Sequence, residues 1–121
     1  MTVFETWSRA REHLLDAIEQ TNGTHNEDDV LLMLLNGTHG SKLWLFEKSA
    51  LITEFINFPR LKALNVWLVG GDLDELRTVE PQLIEYAKQN QCIRISGGGR
   101  FGWSRVRSDW KKAGVYMYKD L

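Results

Sequence analysis

Residues 61–69 are apolar at almost every position, and this run limits the fold more than any other part of the chain. A strand with one covered face alternates, whereas a run this continuous asks for cover on both faces. Gly70-Gly71 ends the run and Asp72 opens a helical pattern, so the chain turns back over the strand it has just left. Residues 92–95 form a second short β-branched run. Strand, helix and strand in this order predict a right-handed crossover between parallel neighbours. A ligand site is expected beyond the carboxyl ends of those strands, where Gly70-Gly71 and the glycines of 97–102 both fall.

The remaining elements follow from spacing. Phe4, Trp7, Leu14, Leu15 and Ile18 recur at helical intervals between charged residues, which predicts an amphipathic first helix that stops at Asn22-Gly23. Asn26 caps a second helix, Glu27, Asp28 and Asp29 suit its positive end, and Asn36-Gly37 closes it. Its body, residues 30–35, is apolar all round and predicts a short, mostly buried helix. Residues 42–46 and 50–58 read as strands joined by a short turn, and Pro59-Arg60 turns the chain into residues 61–69. Those strands form an antiparallel meander, so the sheet is mixed. In the crossover helix, Asp72 and Glu75 make a capping-box pattern and Leu73, Leu76, Leu83, Ile84 and Ala87 an inward stripe. Pro81 is expected to kink or split it. Trp103, Val106 and Trp110 suggest a last short helix, and residues 115–118 a last strand.

Length and composition set the class. A chain of 121 residues with 43% apolar content reads as one domain, residues 1–121, with a single core. No apolar run approaches the roughly 20 residues that span a bilayer, and the N-terminus lacks a signal-peptide core, so a cytoplasmic location is expected and a membrane partner is not. The single Cys92 lies in a predicted buried strand and reads as packing. Asn-Gly-Thr-His occurs at 22–25 and at 36–39, but the flanks do not repeat and supply no further ligand at metal-site spacing. His25 and His39 therefore read as loop histidines, and no metal is expected. Net charge is −1, with acidic residues crowded early and Arg100, Arg105, Arg107, Lys111 and Lys112 late.

The segments Val66-Trp67-Leu68-Val69-Gly70-Gly71-Asp72-Leu73-Asp74-Glu75-Leu76 and Gly99-Arg100-Phe101-Gly102-Trp103-Ser104-Arg105-Val106 resemble the GNAT superfamily of acyl-CoA N-acyltransferases. The resemblance spans about residues 25–121 and is to the small GNAT-like proteins of tailed phages and prophages. It implies an α/β fold in which an antiparallel meander and a parallel crossover form one mixed sheet with helices on both faces. It also implies that a pantetheine arm enters between the strands of 61–69 and 92–95. Val69, Gly70, Gly71, Gly98, Gly99 and Arg100 are then the cofactor-binding candidates for acetyl-CoA, because glycine amides at a helix N-terminus form an anion site. The family's phosphate loop is longer and basic, whereas here Asp72, Asp74 and Glu75 follow directly, which weighs against tight CoA binding. Catalysis in the family uses a Glu base and a Tyr acid. Glu54 is the matching base candidate, and Ser104 stands where the tyrosine is missing.

Residues 97–103 admit three readings: a packing loop, a pantetheine contact with Arg100 as the anion partner, or a nucleic-acid element of aromatics among Arg and Lys side chains. The packing loop is favoured and nucleic acid is the weaker partner class. Two functions stay open, the first of them favoured because the cofactor loop and the general acid both depart from the enzyme pattern. The chain is a catalytically reduced phage-type protein acting in a virion, in assembly or on a host protein, or it is an acetyl-CoA-dependent N-acetyltransferase. Trp44, Phe46 and Phe55 exceed what one small core absorbs and leave room for a protein partner or self-association.

Overall fold

The computed structural model describes residues 2–98 and 109–121. Helices α1 (Val3–Glu19) and α2 (Glu27–Asn36) precede strands β1 (Lys42–Leu45), β2 (Ser49–Asn57) and β3 (Lys62–Gly71); α3 (Leu73–Gln89) and β4 (Arg94–Gly97) follow. Among the described residues the sheet has four strands in the order β1-β2-β3-β4. The first two pairings are antiparallel and β3 pairs with β4 in parallel. The fold is therefore the mixed α/β sheet that the crossover pattern predicts.

Each helix starts on the chemistry that its sequence offers. The Thr2 hydroxyl accepts from the Glu5 amide while Glu5 reaches back to Thr2, and Asn26 and Asp29 repeat this box on α2. Gly37, at φ 62°, ends α2 in the left-handed region. The buried stripe of α1 is Trp7, Ala10, Leu14 and Ile18, while Phe4 is 60% exposed and Leu15 faces outward. Helix α2 is not mostly buried as its composition predicts. Only Val30 is fully covered, because the helix lies along the margin of α1 and the sheet, with Leu32 and Leu35 turned away.

Helices cover both sheet faces. Trp7, Ala10, Leu14, Ile18 and Val30 pack with Ala50, Ile52 and Leu68 on one face. Leu76, Val79, Leu83 and Ala87 pack with Leu51 and Leu64 on the other. Trp44, Phe46 and Phe55, which composition leaves unassigned, join that second core half-buried. Helix α3 runs through Pro81 without breaking. The ring costs the hydrogen bond to the Arg77 carbonyl, but the sheet-facing stripe on either side stays in phase and holds both halves to one surface.

Two further expectations are corrected. Gly70 and Gly71 belong to β3 rather than to a turn, since Ala50 pairs with Gly70 and Ser49 with Gly71. Residues 115–118 form no strand; Val115, Tyr116 and Met117 are each more than three-quarters exposed. Tyr116 stacks on Tyr118 instead, with centroids 6.5 Å apart, so apolar content there lacks the neighbouring strand that would use it.

Candidate functional site

The two parallel strands part company at one point. Pairing runs Ala63–Arg94, Leu64–Ile95, Asn65–Ser96 and Val66–Gly97; β4 then ends while β3 continues from Trp67 to Gly71. At the same point β3 slips against β2. Ile52 pairs with Leu68 and Thr53 with Val66, leaving Trp67 as the extra residue of a bulge. The bulge changes which residues face which helix. Leu64 and Val66 pack toward α3, Trp67 and Leu68 pack toward α1, and Val69 returns to the α3 side. Beyond the end of β4, the edge of β3 from Trp67 to Gly71 has no strand partner on that side among the described residues. An extended ligand carrying amides can pair with such an edge as a strand would.

The residues predicted to hold the cofactor fall into two groups. Val69 is half-buried in the α3-side core. A Cβ on Gly70 would sit 1.8 Å from the His13 carbonyl oxygen, so this glycine lets α1 lie directly on the sheet. Gly71, at φ +111°, would place a Cβ 2.4 Å from the Lys48 carbonyl oxygen. Close packing therefore accounts for both glycines of the predicted phosphate turn. Gly98 follows β4 with open space around it. Gly99, Arg100 and Ser104, and the proposed helix around Trp103, lie outside the described residues.

The N-terminus of α3 fits a phosphate poorly. The Asp72 carboxylate already accepts from the Glu75 amide at 2.9 Å. Glu75 does not complete the capping box; it reaches across to the Lys48 amide at 3.0 Å and to the Ser49 hydroxyl, tying the β1–β2 turn to α3. The exposed Asp74 carboxylate stands 3.6 Å from Arg77. Asp72 thus occupies one of the amides at the start of α3, and Asp74 and Glu75 add two further carboxylates beside it. Trp110 packs at the end of β4 on the α3 side: its indole N–H donates to Glu80 at 2.6 Å, and its ring lies 3.9 Å from the Cβ position of Gly97.

A row of polar side chains crosses the other face, just before the strands part. The Ser96 hydroxyl donates to Asn65 Oδ1, and Asn65 Nδ2 donates to Glu54 Oε2, both at 3.0 Å. The order fixes each role: Ser96 can only present its proton to the amide oxygen, which turns the amide N–H groups toward Glu54. Glu54 is half-buried and accepts in this row. Sequence reading identifies Glu54 but misses Asn65 and Ser96. The available signal was Asn65 itself, a polar residue inside an otherwise apolar run, which burial obliges to find partners.

The α1–α2 loop brings a further group. His25 packs edge-on against Trp67, with ring centroids 4.9 Å apart. Arg11 makes two hydrogen bonds to the Glu27 carboxylate and thereby clamps the loop to α1. Those bonds hold Glu27 below the usual carboxylate range, with Trp7 as a lesser donor. Trp67 and Asn65 occupy alternate positions of β3 on the same face, so His25 and the Glu54 row border the same corner of the sheet. Sequence reading places His25 in a loop and assigns it nothing.

Among the described residues no group of His, Cys, Asp or Glu side chains could hold a metal ion, and no helix is long and apolar enough to cross a membrane. Burial pushes the Cys92 thiol above its ordinary value, away from the thiolate form that reacts.

No protein-family model matches the chain, and no curated protein matches it by sequence. Solved structures do match. A tetramutant of the BH1408 protein from Bacillus halodurans superposes with a TM-score of 0.64 at 14% identity, over 100% of this chain and 97% of that one. The ribosomal-protein-alanine N-acetyltransferase of Brucella melitensis biovar Abortus 2308 gives 0.60 at 12% identity, over 100% and 95%. An aminoglycoside acetyltransferase from an uncultured soil metagenomic sample, in complex with sisomicin, gives 0.61 at 9% identity, over 100% and 93%. Its mixed sheet, its crossover and these superpositions give this chain the fold of the GNAT acetyltransferases.

Proposed function

We propose that the protein is an acetyl-CoA-dependent N-acetyltransferase acting on a cationic amine, in the cytoplasm of the cell that makes it. The parting of β3 from β4 at the Trp67 bulge carries this reading, because it leaves a strand edge for the pantetheine arm at the end of a parallel pair. In this reading the edge of residues 67–71 holds the arm, and Gly98, Gly99 and Arg100 are the sequence's candidates for its phosphates. Glu54, held by Asn65, receives the ammonium of the acceptor. Ser104 is the candidate proton donor to the thiolate.

The acceptors to try first come from the structural neighbours: a peptide that begins with alanine, and an aminoglycoside such as sisomicin. The test is thiol release from acetyl-CoA by the purified full chain with each acceptor. Acceleration that saturates with acceptor is expected. A rate equal to that of acetyl-CoA alone, with every acceptor, would contradict the reading.

One observation favours a second reading, a catalytically reduced GNAT-fold protein that works through a protein partner in a phage particle or its host. Asp72 occupies the helix amide that a pyrophosphate would use. The phage connection itself rests on the sequence resemblance.

A further inference from the structure

We infer that His25 is a catalytic base of the acetyl transfer, taking the proton from the acceptor amine. The inference rests on the acetyltransferase reading above and adds a residue to it. It starts from a tautomer. The Thr24 hydroxyl lies 3.0 Å from the Thr21 carbonyl oxygen, to which it can only donate. Its one proton is then spent, so at the His25 Nδ1 contact of 2.7 Å the hydroxyl accepts. His25 Nδ1 accordingly carries the proton and Nε2 carries the lone pair. Nε2 has no hydrogen-bond partner among the described residues.

The surrounding contacts hold this base in place. The Thr21 hydroxyl donates to the Ile18 carbonyl at 2.7 Å and approaches the His25 carbonyl at 3.3 Å. Arg11 and Glu27 fix the far end of the loop. The imidazole meets Trp67 at the position where β3 bulges and β4 ends. A half-buried imidazole with one nitrogen committed to Thr24 presents the other as a proton acceptor.

The transfer balances with no added reagent. The amine nitrogen forms the C–N bond to the acetyl carbonyl carbon and the C–S bond breaks. The acceptor enters as an ammonium and loses two protons. His25 Nε2 takes the first, before attack, and passes it to solvent; the second, shed as the C–N bond forms, goes to the CoA thiolate to give the thiol. Glu54 takes no part in the proton transfer and keeps its part in holding the ammonium before the first proton leaves.

The test uses the 15N-labelled full chain. Long-range proton–nitrogen NMR should show His25 protonated at Nδ1 and bare at Nε2, with ring signals that move on addition of acetyl-CoA. Thiol release is then followed with sisomicin, with an alanine-leading peptide and with water alone. Both His25→Ala and His25→Asn should lower it by about 100-fold, with acetyl-CoA affinity kept. Added imidazole should restore part of the rate to His25→Ala, which a merely structural role would not allow.

A protonated Nε2, a ring unmoved by bound acetyl-CoA, or wild-type turnover in a folded His25→Asn chain would overturn the assignment while leaving the acetyltransferase reading intact. Binding of acetyl-CoA without thiol release in any of these assays would overturn it too. No binding of acetyl-CoA would instead remove the acetyltransferase reading, and the role of His25 with it.

Discussion

On the α3 face of the sheet, Leu51, Leu64, Val66 and Val69 meet Leu76, Val79 and Leu83, and Phe55 stacks on Tyr86 at 5.7 Å. The indole N–H of Trp44 is satisfied there by the buried Thr53 hydroxyl at 3.0 Å. On the α1 face the same strands begin alike, with Ala50, Ile52 and Leu68 sealed under Trp7 and Leu14. Beyond that seal they present Glu54, Asn65 and Ser96, with His25 laid over Trp67. One face is spent on cohesion. The other gives up part of its apolar contact for polar groups that satisfy one another, and it does so beside the end of β4. Leu64 and Asn65 are chain neighbours that divide these tasks between them.

That division can be broken from either side. Leu64→Ala removes a fully buried side chain from the α3 face and should cost about 2–5 kcal/mol of stability, read from a denaturant midpoint. Thiol release per folded molecule should be unchanged. Asn65→Ala should do the reverse. Its stability cost should be only about 1 kcal/mol, the ordinary scale of a lost hydrogen bond, while turnover falls because Glu54 and Ser96 lose the amide that links them. Equal losses of turnover in the two variants would end the comparison.

The smallest effect belongs to the loop clamp. Glu27 is held below its usual range when folded, so its contribution is present above the ordinary carboxylate value and is lost as pH falls through the folded one. Stability should decline slightly between neutral and acid pH, and Arg11→Ala should remove that part of the decline. The pair is partly exposed, so solvent screening keeps the change well below that of either sheet variant. A pH profile of the denaturant midpoint in both chains checks this.

The crossover was legible in the sequence because it rests on strong local signals: an apolar run, the Asp72 cap and a β-branched second strand. The helix caps at Asn26 and Gly37 were legible for the same reason. What escaped depends on contacts between distant residues. The bulge at Trp67 is invisible because Val66 to Val69 is apolar at every step, and a change of phase leaves no mark there. Gly70 and Gly71 suggest a phosphate turn until α1 and Lys48 are brought against them. His25 gains its place only when the α1–α2 loop lies over β3. Glu54 was recognisable as an acid on an inner strand, but its partner Asn65 comes from β3 and is itself held by Ser96 of β4.

The central claim is that the parting of β3 and β4 is a seat for acetyl-CoA. Isothermal titration of the full chain with acetyl-CoA, with CoA as the comparison, tests it most directly. The account predicts saturable binding of one acetyl-CoA per chain in the micromolar range. No heat of binding up to millimolar ligand, in a chain shown to be folded, would contradict it and leave the fold serving a partner rather than a reaction.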